Sequence, residues 1–333
     1  SFLASPIGFP CHLGMLIARS SVFLGSGANR VPKCGKSNGK CGFYEGLPWR
    51  GELWLDDRLR LGPPLKHASW RFAPQIILVD EIVTAIEWSD ANSRFKNKRR
   101  DLTVFLSVVL GKDIRFPPEG NAWVIVGDNE CELRPLGYLE PASAKEWPEP
   151  GAASPVPTRT VSRPDFTPPG VTSDMTEQWV PDDIVSLWQT FNALSSERKD
   201  HFVEVGRAWQ LAARLLSEYR TASFAFLILT CEAMKPRFKK FDGKDACDIV
   251  EALLGSVIAD ELRNVRVEDN RVPIDIRAQH FHSARTFGTD AIPDILSSTF
   301  VDPSFDAAHR TLWITTHAAL IEWLRNDCWV KFD

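Results

Sequence analysis

A proline-rich stretch in the middle of the chain constrains the fold most strongly. Residues 141–181 hold nine of the chain's 23 prolines and few large aliphatic side chains. A segment of this composition cannot bury a core of its own and favours extended backbone. The sequence therefore predicts a linker over 141–181 that joins two folded regions, as expected for a chain of 333 residues.

The region before this linker has the patterns of mixed structure. Four leucines in ELWLDDRLRL (52–61) recur at period two, which predicts a strand. The β-branched residues of QIILVDEIVTAIEW and AWVIVGD predict further strands. The glycine that ends DLTVFLSVVLG (101–111) favours a short helix over a strand there. We therefore predict a mixed α/β domain over 49–140, preceded by a Gly-, Ser- and Asn-rich segment, 1–48, that is loosely ordered.

The region after the linker is predicted to be helical. An apolar stripe recurs at helical spacing behind Asp182, a candidate N-cap: Ile184, Leu187, Trp188, Phe191 and Leu194. Further helices are predicted over 198–219, 221–235 (the most apolar), 245–262, from Pro273 onward, and over 305–329. The expected fold class is α+β, with the mixed domain joined by the Pro-rich linker to an all-α bundle of five to six helices over 182–333.

Composition narrows the functional classes. The seven cysteines are thinly spread and predict a reduced, cytoplasmic protein without a disulfide framework. There is no run of 18 apolar residues, so no membrane span is expected, and the N-terminus lacks the basic region of a signal peptide. The net charge of −4 gives no overall attraction for nucleic acid.

Two motifs at the N-terminus have ordinary interpretations. CGKS (34–37) resembles the end of a phosphate-binding loop, but Arg30 stands where that loop requires glycine. Six residues separate Cys34 from Cys41, more than the usual spacing of zinc-ligand pairs, and no partner pair follows. We therefore predict loop cysteines, no metal site and no cofactor.

Two basic runs, Arg94–Arg100 and Lys235–Lys240, each place several positive charges beside one phenylalanine. Such runs are usually solvated turns or helix ends, and the alternative is that they guide a phosphate backbone. Residues 175–333 carry 18 Lys+Arg against 24 Asp+Glu, a net of −6, so nucleic acid would need a local patch. The candidate binding residues in the second run are Lys235, Arg237, Lys239 and Lys240.

The stretch PIDIRAQHFHSARTFG (273–288) concentrates polar groups in an apolar helical neighbourhood: Arg277, His280, His282 and Arg285. Arg277 and His280 are three residues apart and share a helix face. Arg277 and His282 are about 140° apart on a regular helix, so a second copy of the chain or a distorted turn must bring them together.

The alternative interpretation of this stretch is structural. Arg277 would then pair with a carboxylate such as Asp275 or Asp260, and the two histidines would line a seam between helices. His309 and His317 lie eight residues apart on the last helix, which is not the i, i+4 spacing of a metal site. We interpret them as ordinary, partly buried polar residues.

The sequence IRAQHFHS near the start of a late helix resembles the HEPN superfamily (higher eukaryotes and prokaryotes nucleotide-binding), in particular its Apea-like branch. That branch typically has Arg-Ser-x-x-x-His-Gly, and here Arg277, Ala278, His282 and Ser283 occupy the matching positions. The resemblance extends over about residues 180–330 and only faintly over 50–140.

The resemblance implies a cytoplasmic homodimer that binds RNA or cleaves it without a metal, in antiviral defence or a toxin system. His282 would act as base or acid and Arg277 would hold the scissile phosphate, with His280 and Arg285 supporting them. Ala278, Ser283 and the acidic charge of the region favour an alternative, a non-catalytic module for dimerisation or partner binding.

Overall fold

The computed structural model describes residues 20–22, 34–44, 49–57, 59–63, 75–85, 88–115, 121–125, 131–135, 151, 153–160, 177–216, 219–236, 243–266, 277, 280–281 and 303–332. They form an α+β fold divided into two compact units. The first unit comprises Ser1–Phe95, Arg115–Pro157 and Met175–Trp179, and the second Lys96–Ile114, Thr158–Asp174 and Val180–Asp333. Among the described residues, no helix combines the length and apolar character needed to cross a membrane.

The first unit contains a five-stranded antiparallel sheet with the strand order β1-β2-β5-β4-β3. Its strands are β1 (Ser20–Val22), β2 (Cys34–Tyr44), β3 (Leu53–Asp56), β4 (Leu59–Gly62) and β5 (Gln75–Ala85). The strand expected in QIILVDEIVTAIEW is confirmed as β5, where β-branched residues favour extended backbone.

Strand β2 corrects the expectation that residues 1–48 are loosely ordered throughout. It pairs along its whole length with β5, from Cys34 opposite Ala85 to Tyr44 opposite Gln75. Its own Gly- and Lys-rich sequence has low strand propensity, so pairing with a strongly strand-forming neighbour decides its conformation. The CGKS motif lies in this strand and not in a loop that opens a helix, so the geometry of a phosphate-binding loop is not formed there.

The segment ELWLDDRLRL forms a hairpin and not one strand. β3 and β4 pair antiparallel, with Leu53 opposite Leu61 and a turn at Asp57. Three of the four leucines, Leu55, Leu59 and Leu61, are buried, but Arg60 between two of them is buried as well, so β4 is covered on both faces.

Part of the predicted linker packs against this hairpin. The Val156 N–H donates to the Glu52 carbonyl (3.1 Å), and the Val156 side chain is buried. The backbones approach so closely that a Cβ on Gly51 would lie 2.3 Å from Val156 Cα, so only glycine fits. Residues 153–157 of the predicted linker therefore pack on the hairpin, whose backbone supplies their hydrogen-bond partners.

Helix α1 (Trp88–Leu110) is longer than the short helix expected over 101–111. It contains the basic run Arg94–Arg100 and ends at Gly111, whose φ of 66° lies in the left-handed region that favours glycine. In the first unit, β6 (Asn121–Ile125) confirms the strand expected in AWVIVGD and pairs antiparallel with β7 (Cys131–Pro135).

The second unit is a helical bundle with one short parallel strand pair, β8 (Thr158–Arg159) with β9 (Val180–Pro181). Its helices besides α1 are α2 (Ile184–Ala193), α3 (Ser196–Leu215), α4 (Arg220–Ala233), α5 (Ala246–Leu254), α6 (Ser256–Asn264) and α7 (Pro303–Arg325). The single helix expected over 245–262 is divided at Gly255, whose φ is 89°. That conformation cannot continue a right-handed helix.

The later half of α1 belongs to this bundle. Phe105 packs against Trp188 and Phe191 of α2, with ring centroids 5.0 and 5.6 Å away. Gly206 of α3 lies so close to α1 that a Cβ there would be 2.3 Å from Val104 Cγ1. Residues 96–114 therefore pack with the C-terminal helices, although the sequence analysis assigned them to the domain over 49–140.

Candidate functional site

Three residues of the PIDIRAQHFHSARTFG stretch are described: Arg277, His280 and Phe281, all in helical conformation. They are related as i, i+3 and i+4, so they share one face of the helix. His282 and Arg285, which the sequence analysis also singled out, lie outside the described residues, as do Arg237, Lys239 and Lys240.

Arg277 is held by a carboxylate of α4. Its Nη2 forms an ion pair with Glu232 Oε2, and the side chains are 27% and 13% exposed, respectively. The Arg277 Nε is buried and has no hydrogen-bond partner among the described residues. Among the described residues the guanidinium is thus held by one carboxylate, and the Arg277 side chain as a whole is partly exposed.

The partner of Arg277 differs from those weighed in the sequence analysis. Asp260 instead accepts a hydrogen bond from Arg263 (3.0 Å), and Asp275 lies outside the described residues. Glu232 is 45 positions away in sequence, on another helix. No local spacing rule could have selected it, because the contact depends on how the two helices pack.

Phe281 contacts α4 at a second point. Its ring lies perpendicular to Phe226, with centroids 5.6 Å apart and an interplanar angle of 86°. Residue 277 thus faces residue 232 while residue 281 faces residue 226, so the stretch runs antiparallel to α4. Phe281 nevertheless remains 46% exposed.

His280 and Lys235 are the two other predicted site residues that the structure describes. The His280 ring is 5.5 Å from that of Phe281. Lys235 is half-buried and lies just beyond the end of α4, three residues after Glu232. The structure therefore brings together Arg277, its carboxylate partner and the partly exposed Phe281 ring beside His280, and Lys235 lies nearby in sequence at the end of α4.

The histidines of α7 have a different environment. His317 Nε2 donates to the Val108 carbonyl (2.5 Å), and its ring stacks on Trp209 at 5.1 Å. His309 Nε2 lies 3.0 Å from Ser223 Oγ, and that hydroxyl donates to the Ala212 carbonyl (2.7 Å).

Both α7 histidines are fully enclosed, and not partly buried as the sequence analysis expected. Burial lowers the pKa of His309 and of His317 to about 3, because the charged form cannot be solvated there. Both rings are therefore neutral at physiological pH and serve the packing of the bundle.

Burial also acts on the thiols of Cys231 and Cys247 in the bundle. Burial raises the pKa of Cys231 to about 12 and that of Cys247 to about 11. A protonated thiol is a poor nucleophile and a poor metal ligand. Within the described ranges, no three His, Cys, Asp or Glu side chains are grouped so that they could hold a metal ion.

The basic run in α1 is partly neutralised. Arg100 pairs with the neighbouring Asp101 (2.9 Å), and Lys199 of α3 approaches the same carboxylate (3.8 Å). Arg100 at the end of the run is thus balanced by an acidic neighbour, as Arg277 is by Glu232.

Comparisons with known proteins show no family for this chain. No family model matches the chain, and no curated protein or solved structure matches it either.

Proposed function

We propose that the helical unit is an HEPN-type module of the Apea-like kind that binds RNA at the Arg277 stretch and cleaves it without a metal ion. In this proposal Arg277 holds the scissile phosphate, and His282 transfers the proton with the support of His280 and Arg285. Lys235, Arg237, Lys239 and Lys240 hold the adjoining backbone. A role in defence or in a toxin system fits such an activity.

One observation carries the proposal: Glu232 fixes the Arg277 guanidinium while 27% of that side chain stays exposed. A guanidinium has five N–H donors, and the contact with Glu232 is made by Nη2 alone. Donors held in place before the ligand arrives lose little conformational freedom when they bind a phosphate.

The proposed chemistry requires only groups of these types. A base removes the 2′-hydroxyl proton, and the oxygen attacks the neighbouring phosphorus. The bond to the 5′-oxygen breaks, and an acid returns a proton to that leaving group. The products are a 2′,3′-cyclic phosphate and a 5′-hydroxyl, and the arginine stabilises the charge on the phosphate during transfer.

Dimerisation is part of the proposal. On one regular helix Arg277 and His282 are about 140° apart, so one copy cannot easily direct both at the same phosphate. A second copy of the chain across a two-fold axis would supply the missing group.

The second candidate is a non-catalytic dimerisation or partner-binding module. Two observations favour it. Glu232 balances the charge of Arg277, and the partly exposed Phe281 offers apolar surface to a protein partner. In this case the Arg277 stretch would bind protein and not RNA.

Cleavage of RNA by the purified protein in EDTA distinguishes these two candidates. We expect products with 2′,3′-cyclic phosphate ends, which Arg277→Ala and His282→Ala lose and Arg277→Lys largely loses, because lysine cannot make the bidentate contact. Arg207→Ala removes an exposed arginine from α3 and serves as the matched control. A folded, dimeric protein that neither binds nor cleaves RNA would favour the interaction module.

A further inference from the structure

We propose that Phe281 is the base-stacking platform of this site and that the ligand is an unpaired segment of RNA. One base would lie on the Phe281 ring while the adjoining phosphate meets Arg277. This inference rests on the proposed function and adds the class of RNA and the residue that selects it.

The first step is the state of the Phe281 ring. Large apolar side chains of the bundle are mostly buried, yet this ring is 46% exposed. The perpendicular contact with Phe226 holds it without covering it. A half-exposed ring that is already oriented can receive a second flat group with little loss of conformational freedom.

The second step is its position relative to the cation. Phe281 follows Arg277 by four residues, so the two Cα atoms are about 6 Å apart along the helix axis and on the same face. A single nucleotide can span such a distance between its base and its phosphate. Lys235 follows Glu232 by three residues, just beyond the end of α4, and is a further cation of this end of the helix.

The third step concerns the ligand. In a duplex the faces of each base are covered by the neighbouring bases, so an aromatic side chain can stack only on an unpaired base. Every base has such a face, so stacking alone discriminates weakly among sequences. The site should therefore prefer single strands, loops or ends over duplex RNA, with little preference for base identity.

Binding of a fluorescent, 2′-O-methylated RNA tests this inference, because that RNA lacks the nucleophile and stays intact. Anisotropy is compared for the single strand and for the same strand annealed to its complement. Phe281→Ala should weaken single-strand binding about tenfold, as expected for one lost stacking contact. Phe281→Trp should retain binding, and Arg277→Ala should weaken it.

Tyr219→Ala is the matched control, because Tyr219 is an aromatic residue of the same unit that is 57% exposed and precedes α4. It should bind as the wild type does, and circular dichroism melts should show that all variants fold.

Two results would overturn the inference and leave RNA binding intact. These are unchanged affinity in Phe281→Ala while Arg277→Ala binds weakly, and equal wild-type affinity for duplex and single strand. Absence of RNA binding by the folded wild type would overturn the inference and the proposed function together.

Discussion

Two groups of aromatic and titratable side chains in the helical unit have opposite environments. His309 and His317 on α7 bond to groups inside the bundle and are buried. Arg277 and Phe281 contact α4 but remain partly exposed. Residue type alone therefore does not identify a functional site. The number of contacts that a side chain makes inside the protein and its exposure to solvent are better indicators.

The difference has an energetic basis. A buried imidazole that donates its one N–H to a carbonyl is satisfied, and its protonation would place a charge where water cannot solvate it. A guanidinium has five donors, and among the described residues that of Arg277 has one carboxylate partner. Substitution of the two buried histidines should therefore change mainly the stability of the fold. Substitution of Arg277 or Phe281 should change mainly the binding of a ligand.

The largest effect should come from Trp209→Ala. Trp209 is fully buried, stacks on His317 and donates to the Ser107 carbonyl (2.9 Å). Removing it should lower the free energy of unfolding by about 3–5 kcal/mol. Urea unfolding measures this loss, and a loss below 1 kcal/mol would contradict the placement of Trp209 in the core.

Acidification should destabilise the protein through the α7 histidines. The unfolded pKa is near 6.5 and the folded value about 3, so between these values the unfolded state binds more protons. The contribution of the two neutral histidines to the free energy of unfolding is fully present above pH 6.5 and is lost as the pH falls toward 3. The slope should approach about 1.4 kcal/mol per pH unit for each histidine.

Urea unfolding at several pH values between 7 and 4 gives this slope. His317→Gln should reduce it by about one histidine's share, even though the variant is less stable throughout. The same slope in His317→Gln and wild type would show that His317 is not buried in the neutral form.

Gly206→Ala tests whether α1 belongs to the bundle. A Cβ at this position would lie 2.3 Å from Val104 Cγ1 and 3.2 Å from Val108 Cγ2. We expect a loss of about 1–3 kcal/mol from overpacking. Val104→Ala should lower the free energy of unfolding less in the Gly206→Ala background than in the wild type, because it makes room for the added methyl group. Strictly additive losses would argue against this contact.

The ion pair should make a smaller contribution. A double-mutant cycle with Arg277→Ala and Glu232→Ala should give a coupling free energy of about 1 kcal/mol, the upper end for partly exposed pairs. Thermal or urea unfolding of the four proteins provides the cycle. No coupling would mean that Glu232 does not hold Arg277 in solution.

The smallest effect on stability should come from Phe281→Ala, at about 0.5 kcal/mol, because the ring is nearly half exposed. The contrast with Trp209→Ala is sharp, since one aromatic residue supports the fold and the other should matter mainly for ligand binding. A loss above 2 kcal/mol by urea unfolding would place Phe281 in the core and remove this contrast.

Local sequence patterns predict many of the helices and strands. The apolar stripe of α2 predicts the buried residues Ile184, Leu187, Trp188 and Phe191, and the period-two leucines predict strand conformation and the burial of three of the four leucines. Both follow from repeats set by helix and strand geometry. The N-cap expected at Asp182 lies one residue later, at Asp183.

Long-range contacts account for what local patterns missed. Glu232 meets Arg277 only because two helices pack antiparallel, and Val156 is buried only because Gly51 lets two backbones approach. The break at Gly255 had a visible signal, since glycine inside a helical pattern marks a candidate end. The exposure of Phe281 had none, because sequence does not show which face of a helix remains uncovered.

The most direct test of the proposed RNA site is to map which peptides of the protein crosslink to RNA. A short single-stranded RNA is photocrosslinked to the wild-type protein, and the crosslinked peptides are identified by mass spectrometry. We expect crosslinks in the peptide that contains Arg277, His280 and Phe281, and fewer of them in Phe281→Ala. Crosslinks confined to the basic run Arg94–Arg100, with none near Phe281, would show that the Arg277 stretch is not the RNA-binding site.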